Sequence, residues 1–468
     1  MSHRTPVRVL SRVGRFTGVT ALIAGVMIVS VATPAAVASP SSAPVLRIHR
    51  VPAPAAALPL SDQAPRAVTS NVWTQRNEVT GTADTLYGYS VAVSGSTMVV
   101  GAPADNSGTG AVFVYAGSGT TWTQEAEVTP NDGTSGDFFG GSVAITPSGT
   151  SLTIVVGAES HSTPPLSNEG AAYVYTGSGS SWTKQAELID PGQAGGDFFG
   201  SAVAASPNSV LVAASGENSN EGAVFVYANQ RHGFVAKAEL TDPGGVPNDS
   251  FGFGLAVNAK TMVVGAPGDH GFTGAAYVFK AVRGGWIVKD KLTASNGKGC
   301  VTTCSFGYGF VGGDYFGYSV ALRGKTLAVG APFASVPPAN DGVGSGSAYV
   351  YTGSGSHWTQ NAELFVPAEI SAHTEDWFGY TTAVSANFSV VATAQYDPQG
   401  AFNAPNGAAF VFPKQGGSWP VAATPAKLTA GDGVPGDYFG YGVTTVGTNV
   451  VVVGSPYSPN GGLYFFEN

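Results

Sequence analysis

The residues best equipped for chemistry in this chain are acids, gathered in four short stretches: NDGTSGD (131–137), DPGQAGGD (190–197), DPGGVPND (242–249) and GDGVPGD (431–437). Carboxylates at such density can ligate a hard cation, which takes about six to eight oxygens. They can also accept backbone N–H bonds where a chain turns. A second regularity weighs between the two. Asp137, Asp197, Asp249, Asp314, Asp376 and Asp437 each stand just before a glycine that follows an aromatic residue or its neighbour. A fixed relation to a chain reversal fits a structural acceptor, so no metal ligand is assigned and calcium at these pairs is the lesser reading. Asp132 and Asp432, beside glycines, read as turn residues.

The elements that position these acids repeat. The aromatic-Gly step recurs at Gly88, Gly140, Gly200, Gly252, Gly317, Gly379 and Gly440, at intervals of 52 to 65 residues. A period of that length points to a repeat architecture and is too long for most helical solenoids. Each unit reads as four strands. The first follows the glycine, as in FGYSVAL, and the second is an apolar run such as TMVVGAP (261–267) or TLAVGAP (326–332). The third begins with Gly, as in GAVFVY (110–115), and the fourth alternates polar and apolar residues, as in WTQEAEVT (122–129). Unbroken apolar runs fit strands covered on both faces, whereas alternation fits a half-exposed one. Buried inner strands and a polar outer strand describe a propeller blade. The last unit lacks a fourth strand, while NVWTQRNEVT (71–80) has no unit of its own. The expected fold is therefore all-β, a seven-bladed β-propeller of four-stranded antiparallel blades, with the N-terminal strand closing the last blade and covering its edge.

In that frame, catalysis finds little support. The hairpins GSGTTW, GSGSSW and GSGSHW are similar to the Asp-box turns of sialidases but lack the Asp. Arg231, Arg283 and Arg323 fall in strand 3–4 and 1–2 turns, opposite the loops that would hold a substrate, and Arg76 lies within an outer strand. His161, His270 and His373 belong to different units, so nothing makes them converge. No nucleophile elbow, phosphate loop or zinc signature is present. No catalytic residue is assigned. Recognition fits better, because loops on a rigid scaffold can vary freely. The long ones, 161–169, 295–313, 333–345 and 396–406, all join strands 4 to 1 or 2 to 3. Phe306, Tyr308, Phe310, Phe333, Trp377 and Tyr396 on that face are the candidate ligand contacts, suited to stacking on a sugar or anchoring a protein.

The chain has 468 residues, 43% hydrophobic and only 11% charged, with 65 glycines and 30 prolines, which excludes wholesale disorder. Arg4, Arg8, Arg12 and Arg15 precede an uncharged stretch, Val19 to Ala32, and Ala36-Val37-Ala38 offers a small-residue cleavage pattern. Residues 1–38 thus read as a secretory signal cleaved near Ala38. Residues 39–70, rich in Pro, Ala and Ser, read as a flexible leader, and 71–468 as the propeller. Losing the four arginines leaves 17 of 21 basic residues against 30 acidic ones, a net charge of −13. That balance disfavours nucleic acid and anionic membranes. The mature chain is expected to be a monomer without a membrane span. Cys300 and Cys304, in CVTTC, are the only cysteines. In an exported chain such a pair suggests a small loop disulfide, and zinc would lack two ligands.

Seven aromatic-Gly units paired with Gly-Ala-Pro resemble the FG-GAP repeats of integrin alpha-subunit propellers and of exported bacterial relatives, over residues 71–468. Gly-Ala-Pro stands intact at 101–103, 265–267 and 330–332. It is altered at Gly157-Ala158-Glu159 and Gly454-Ser455-Pro456, and degraded at Ala213-Ala214-Ser215 and Ala392-Thr393-Ala394. The resemblance implies Asp-rich calcium loops between strands 1 and 2, yet none of those connections holds a carboxylate here, so that site is not carried over and no cofactor is expected. It further implies an extracellular or cell-surface adhesion module, non-catalytic, taking a protein or matrix ligand through the strand 4–1 and 2–3 loop face. A glycan ligand is the alternative, and a carbohydrate-active enzyme the more distant one.

Overall fold

Each aromatic-Gly unit folds into one antiparallel sheet, its strands side by side in chain order. In the unit that begins at Phe251-Gly252, the order is Leu255–Val257, Thr261–Ala266, Ala275–Val282 and Gly285–Leu292. The two middle strands, rich in β-branched and small residues, are buried along nearly their whole length, and the outer strand is largely exposed. There are six such four-stranded sheets and one of five strands among the described residues. In the computed structural model these residues are 48–50, 72–230, 233–258, 260–297, 313–334, 345–355, 357–366, 377–393, 406–415, 419 and 425–468. All belong to one unit, 39–468. Each innermost strand packs on the innermost strand of the next sheet, and Val443–Val446 packs back onto Ser90–Ser94. The arrangement is that of propeller blades.

The five-stranded sheet joins distant parts of the chain. Val443–Val446, Val450–Ser455 and Gly462–Glu467 pair in order, and Thr74–Thr80 then lies antiparallel on Gly462–Glu467, with Thr74 opposite Glu467 and Thr80 opposite Gly462. A fifth strand, Ile48–Arg50, comes from the segment read as a leader and pairs with Asn77–Val79. Five of the six four-stranded sheets and the five-stranded one slip register by one residue between the outer strand and its neighbour, as between Lys184 and Ala186 or between Gln75 and Asn77. The exception by residue is the sheet ending at Ala426–Leu428, whose short outer strand pairs without a slip. Bulges of this kind twist an outer strand away from the flat edge that would recruit another chain.

Glycine governs how the sheets meet. In every unit the residue two before the motif glycine has a left-handed backbone, including Phe138 (φ 59°), Tyr315 (φ 55°) and Trp377 (φ 52°). Side chains rarely accept that conformation. Here it turns the following aromatic into the seam: Phe316 is fully buried among Val263, Ala276 and Val278 of the preceding sheet and Leu327, Val329 and Tyr349 of its own. Gly317 follows with φ 98°. Its carbonyl oxygen points at the glycine of Gly-Ala-Pro in the preceding sheet, where a Cβ on Gly265 would lie 1.8 Å from it. The same contact joins Gly101 to Gly140, Gly157 to Gly200, Gly330 to Gly379 and Gly454 to Gly88, each at 2.0 Å from an added Cβ. Ser90, Ser142, Ser319 and Thr381 then donate hydroxyl hydrogen bonds to the same carbonyl row, at 2.7–2.9 Å. The N–H of the buried aromatic also crosses the seam, as from Phe316 to Thr273 O at 3.1 Å. Pro332 lies just past the strand end at Ala331, where a missing N–H costs no ladder bond.

Two outcomes are expected. Gly265→Ala should cost about 3 kcal/mol in chemical denaturation, because backbone must move to admit the methyl. Gly324→Ala, in an open hairpin with φ 59° and nothing within 4 Å of the added carbon, should cost only about 1 kcal/mol. Equal losses would show that the seam is not sterically limiting. Deleting 71–80 should lower Tm and solubility by baring the Gly462–Glu467 edge, and unchanged melting would rule out that pairing as a structural clasp.

Candidate functional site

The strand 4–1 and 2–3 loops meet above each seam, and the motif aspartates organise them. Asp137, Asp197, Asp249 and Asp437 are all buried. Each carboxylate accepts the backbone N–H three residues earlier: Thr134 at 2.7 Å, Ala194 at 2.6 Å, Val246 at 2.8 Å and Val434 at 2.7 Å. Asp314 is buried as well, and Asp376 lies outside the described residues. In the first unit Thr85 stands at this position and donates its hydroxyl to Thr82 O. The adjacent 2–3 loop is tied to the same turn, since Gly216 N–H donates to Asp197 O and Gly268 N–H to Asp249 O, both at 3.0 Å. The acid after each of those glycines, Glu217 or Asp269, is thereby held beside the motif aspartate.

What surrounds these acids differs from unit to unit. Where Asp242, Asp249 and Asp269 gather, the Tyr277 hydroxyl lies 2.6 Å from both the Asp242 and the Asp269 carboxylates. Lys291 Nζ sits 2.6 Å from Asp269 and 5.0 Å from the centre of the Tyr277 ring. Burial works against the Asp269 anion, but the Lys291 ammonium and the Tyr277 hydroxyl hold its pKa below the usual range. One unit earlier in the chain than the Asp190 loop, Lys184 contacts Asp132 at 2.8 Å and Glu187 at 2.9 Å, and His161 Nδ1 lies 3.0 Å from Asp137. Asp190, Asp197 and Glu217 have no such cation among the described residues. Each offers a carboxylate oxygen, and these oxygens lie within 4.8 Å of one another. Burial, then the charges of Asp190 and Asp197, pushes Glu217 up to about 8. Burial, with the neighbouring Asp190 and Glu169, pushes Asp197 up to about 6 against the help of the Ala194 N–H.

The aromatic candidates fall into two groups. Phe333 and Trp377 are buried, 8% and 9% exposed, in a cluster with Tyr315, Tyr380 and Tyr441. The Phe333 ring lies 4.9 Å from Tyr315 and 5.3 Å from Trp377. This cluster borders a run of rings from the residues just after successive motif glycines: Phe253, Tyr318, Tyr380, Tyr441 and Tyr89, with neighbouring centroids 4.5–5.3 Å apart. Tyr441 and Tyr89 share a hydroxyl hydrogen bond of 3.0 Å. Glu159, which replaces the proline of Gly-Ala-Pro, is buried nearby, and burial pushes its carboxyl up to about 8. Phe306, Tyr308, Phe310 and Tyr396, with Cys300, Cys304 and His373, lie outside the described residues.

Other candidates have local roles. Trp122 and Trp182 each donate the indole N–H to the glycine carbonyl of their own GSG turn, Gly119 or Gly179, at 2.9 Å, so these hairpins are closed from within. Arg76 pairs with Glu467 at 3.7 Å across the strands that join the two ends of the sequence. Among the residues that sequence reading passed over, Glu217 and Lys291 matter most. Superimposing AASGENSNEG (213–222) on GAPGDHGFTG (265–274) would have aligned Glu217 with Asp269.

Among the described residues no helix is long and apolar enough to cross a membrane. No curated protein matches the chain. A family model for the FG-GAP repeat matches residues 73–115, 122–175, 182–227, 234–279, 310–351 and 424–466, six segments that each span the three inner strands of one sheet and together cover more than half of the sequence. With its glycine-to-glycine seams, the chain belongs to the FG-GAP repeat family.

Proposed function

We propose that this FG-GAP propeller is an exported, non-catalytic binding or adhesion module whose five-stranded sheet serves as a seventh blade, and which takes a protein or matrix ligand on its strand 4–1 and 2–3 loop face. The observation that carries the reading is a pair of apolar side chains held out to solvent on locked turns. Val246 is 53% exposed and Val434 47%, although the N–H of each is fixed by the buried carboxylate of Asp249 or Asp437. A rigid turn presenting an apolar side chain loses little entropy on docking, which favours affinity. Tyr457, 36% exposed, adds a third apolar contact from a 2–3 loop. The acidic balance of the chain suits a partner with basic groups at its rim. The glycan alternative rests on Phe306, Tyr308, Phe310 and Tyr396, whose rings suit sugar stacking.

The mature chain should be displayed against arrays of extracellular-matrix proteins and of glycans. Retention on a protein, weakened about tenfold (~1.4 kcal/mol) in a Val246→Ser, Val434→Ser double variant, is the expected outcome. Retention on glycans alone would replace this reading with the lectin one, and turnover of a glycan would establish an enzyme. N-terminal sequencing of the secreted product should place its start near residue 39.

A further inference from the structure

We propose that Asp190, Asp197 and Glu217 form a binding site for a hard divalent cation, calcium foremost, at the loop end of the sheet that begins at Phe199. The geometry is that of ligands around one ion. Oxygens bound to calcium at about 2.4 Å lie no more than about 4.8 Å apart, and the three carboxylates each offer an oxygen within 4.8 Å of the others. Density of charge alone would be weak grounds, but a second observation points to a ligand. Asp190 is 2% exposed, and while its Oδ1 accepts the Gly192 N–H at 2.9 Å, its Oδ2 has no hydrogen-bond partner among the described residues. Glu217 Oε2 is likewise buried without a partner among them. Buried polar oxygens are normally satisfied, and a buried carboxylate oxygen left bare is costly.

The neighbouring repeats show how this fold neutralises the same positions with protein groups. Asp190, Asp197 and Glu217 correspond to Asp242, Asp249 and Asp269, where the Tyr277 hydroxyl and the Lys291 ammonium satisfy the acids. In the Asp190 unit Tyr277 is replaced by Phe225, and Lys291 by Glu239, each at the matching register across the strand pair. The lysine of the preceding unit, Lys184, is replaced by Ala236. Relative to the Asp242 unit, a hydroxyl and an ammonium group are thus exchanged for an apolar ring and a fourth acid, while all three carboxylates stay. A divalent ion restores the missing charge. The loops that hold it are the strand 4–1 and 2–3 connections, at the opposite end of the blade from the strand 1–2 turns, which carry no acids. Three carboxylates do not fill six to eight positions, so water completes the shell.

The test uses the whole mature chain, stripped with EDTA and dialysed. Titration calorimetry with CaCl2, and in parallel MgCl2, should show one site filled at micromolar to millimolar calcium. Tm should rise by about 3 °C at a hundredfold excess over Kd. Glu217→Gln should weaken calcium binding at least tenfold. Because removing a buried acid can also disturb folding, Glu239→Lys provides the second arm: it installs the ammonium found in the next repeat and should abolish the calcium response while keeping the apo Tm equal or higher. Preference for magnesium would keep the site and reassign the ion. Absence of binding by either metal, or unchanged binding in both variants, would overturn the proposal.

Discussion

A carbonyl oxygen seated, at five of the seven seams, where its neighbour has no side chain is the constraint on which most of the fold depends. At these five the motif glycine turns its C=O onto a glycine of the preceding sheet, where a Cβ would stand about 2 Å from that oxygen; Ala213 and Ala392 occupy the facing position at the other two. The motif glycine is constrained in turn by its φ near +100°, as at Gly317 and Gly440. The two halves of the repeat signature are therefore complementary faces of one joint, contributed by successive units. Where the glycine has become Ala213, the joint is wider: a Cβ on Gly252 would lie 3.1 Å from Ala223 O, against 2.2 Å from Ala275 O at the equivalent Gly317. Degradation of the signature at that unit is a local relaxation that the seam tolerates.

Much of this was legible in the sequence, and the reason is repetition. Aromatic-Gly steps recur at nearly constant intervals, and strand character follows from Val-rich runs and polar alternation within each interval. The turn-forming role of Asp137, Asp197, Asp249 and Asp437 was legible from their constant distance to the glycine. Partnership across seams was not. Nothing local says that Gly265 faces Gly317, because the contact joins residues some fifty positions apart. The packing of Trp377 and Phe333, expected as ligand contacts, was likewise not legible. They stand in loop segments and pack against Tyr315, Tyr380 and each other, the Phe333–Trp377 contact joining two units.

The acid clusters illustrate how a repeat scaffold diversifies without changing its backbone. Asp190 and Asp242 occupy equivalent turns, each binding the N–H two residues on, at Gly192 and Gly244. The third and fourth strands differ in whether they offer Tyr277 and Lys291 or Phe225 and Glu239. Two substitutions, one on a buried third strand and one on the outer strand, thus decide the electrostatic character of a buried loop contact, while the innermost strands stay as they are. Stability resides near the axis and variation at the periphery, the division expected of a scaffold whose loops carry function.

The pairing of Thr74–Thr80 with Gly462–Glu467 also sets an order of events during synthesis. At about 5–20 residues per second, the strand emerging early waits roughly 20–80 s for its partner to exist. For that interval every sheet between them can form and stack, yet the ring has no last wall, and two hydrogen-bonding edges remain open at once. Completion is a single late event rather than gradual accretion. A chain stalled before Gly462 is therefore a distinct species, nearly all of whose blades are native and whose two ends are each an invitation to another copy.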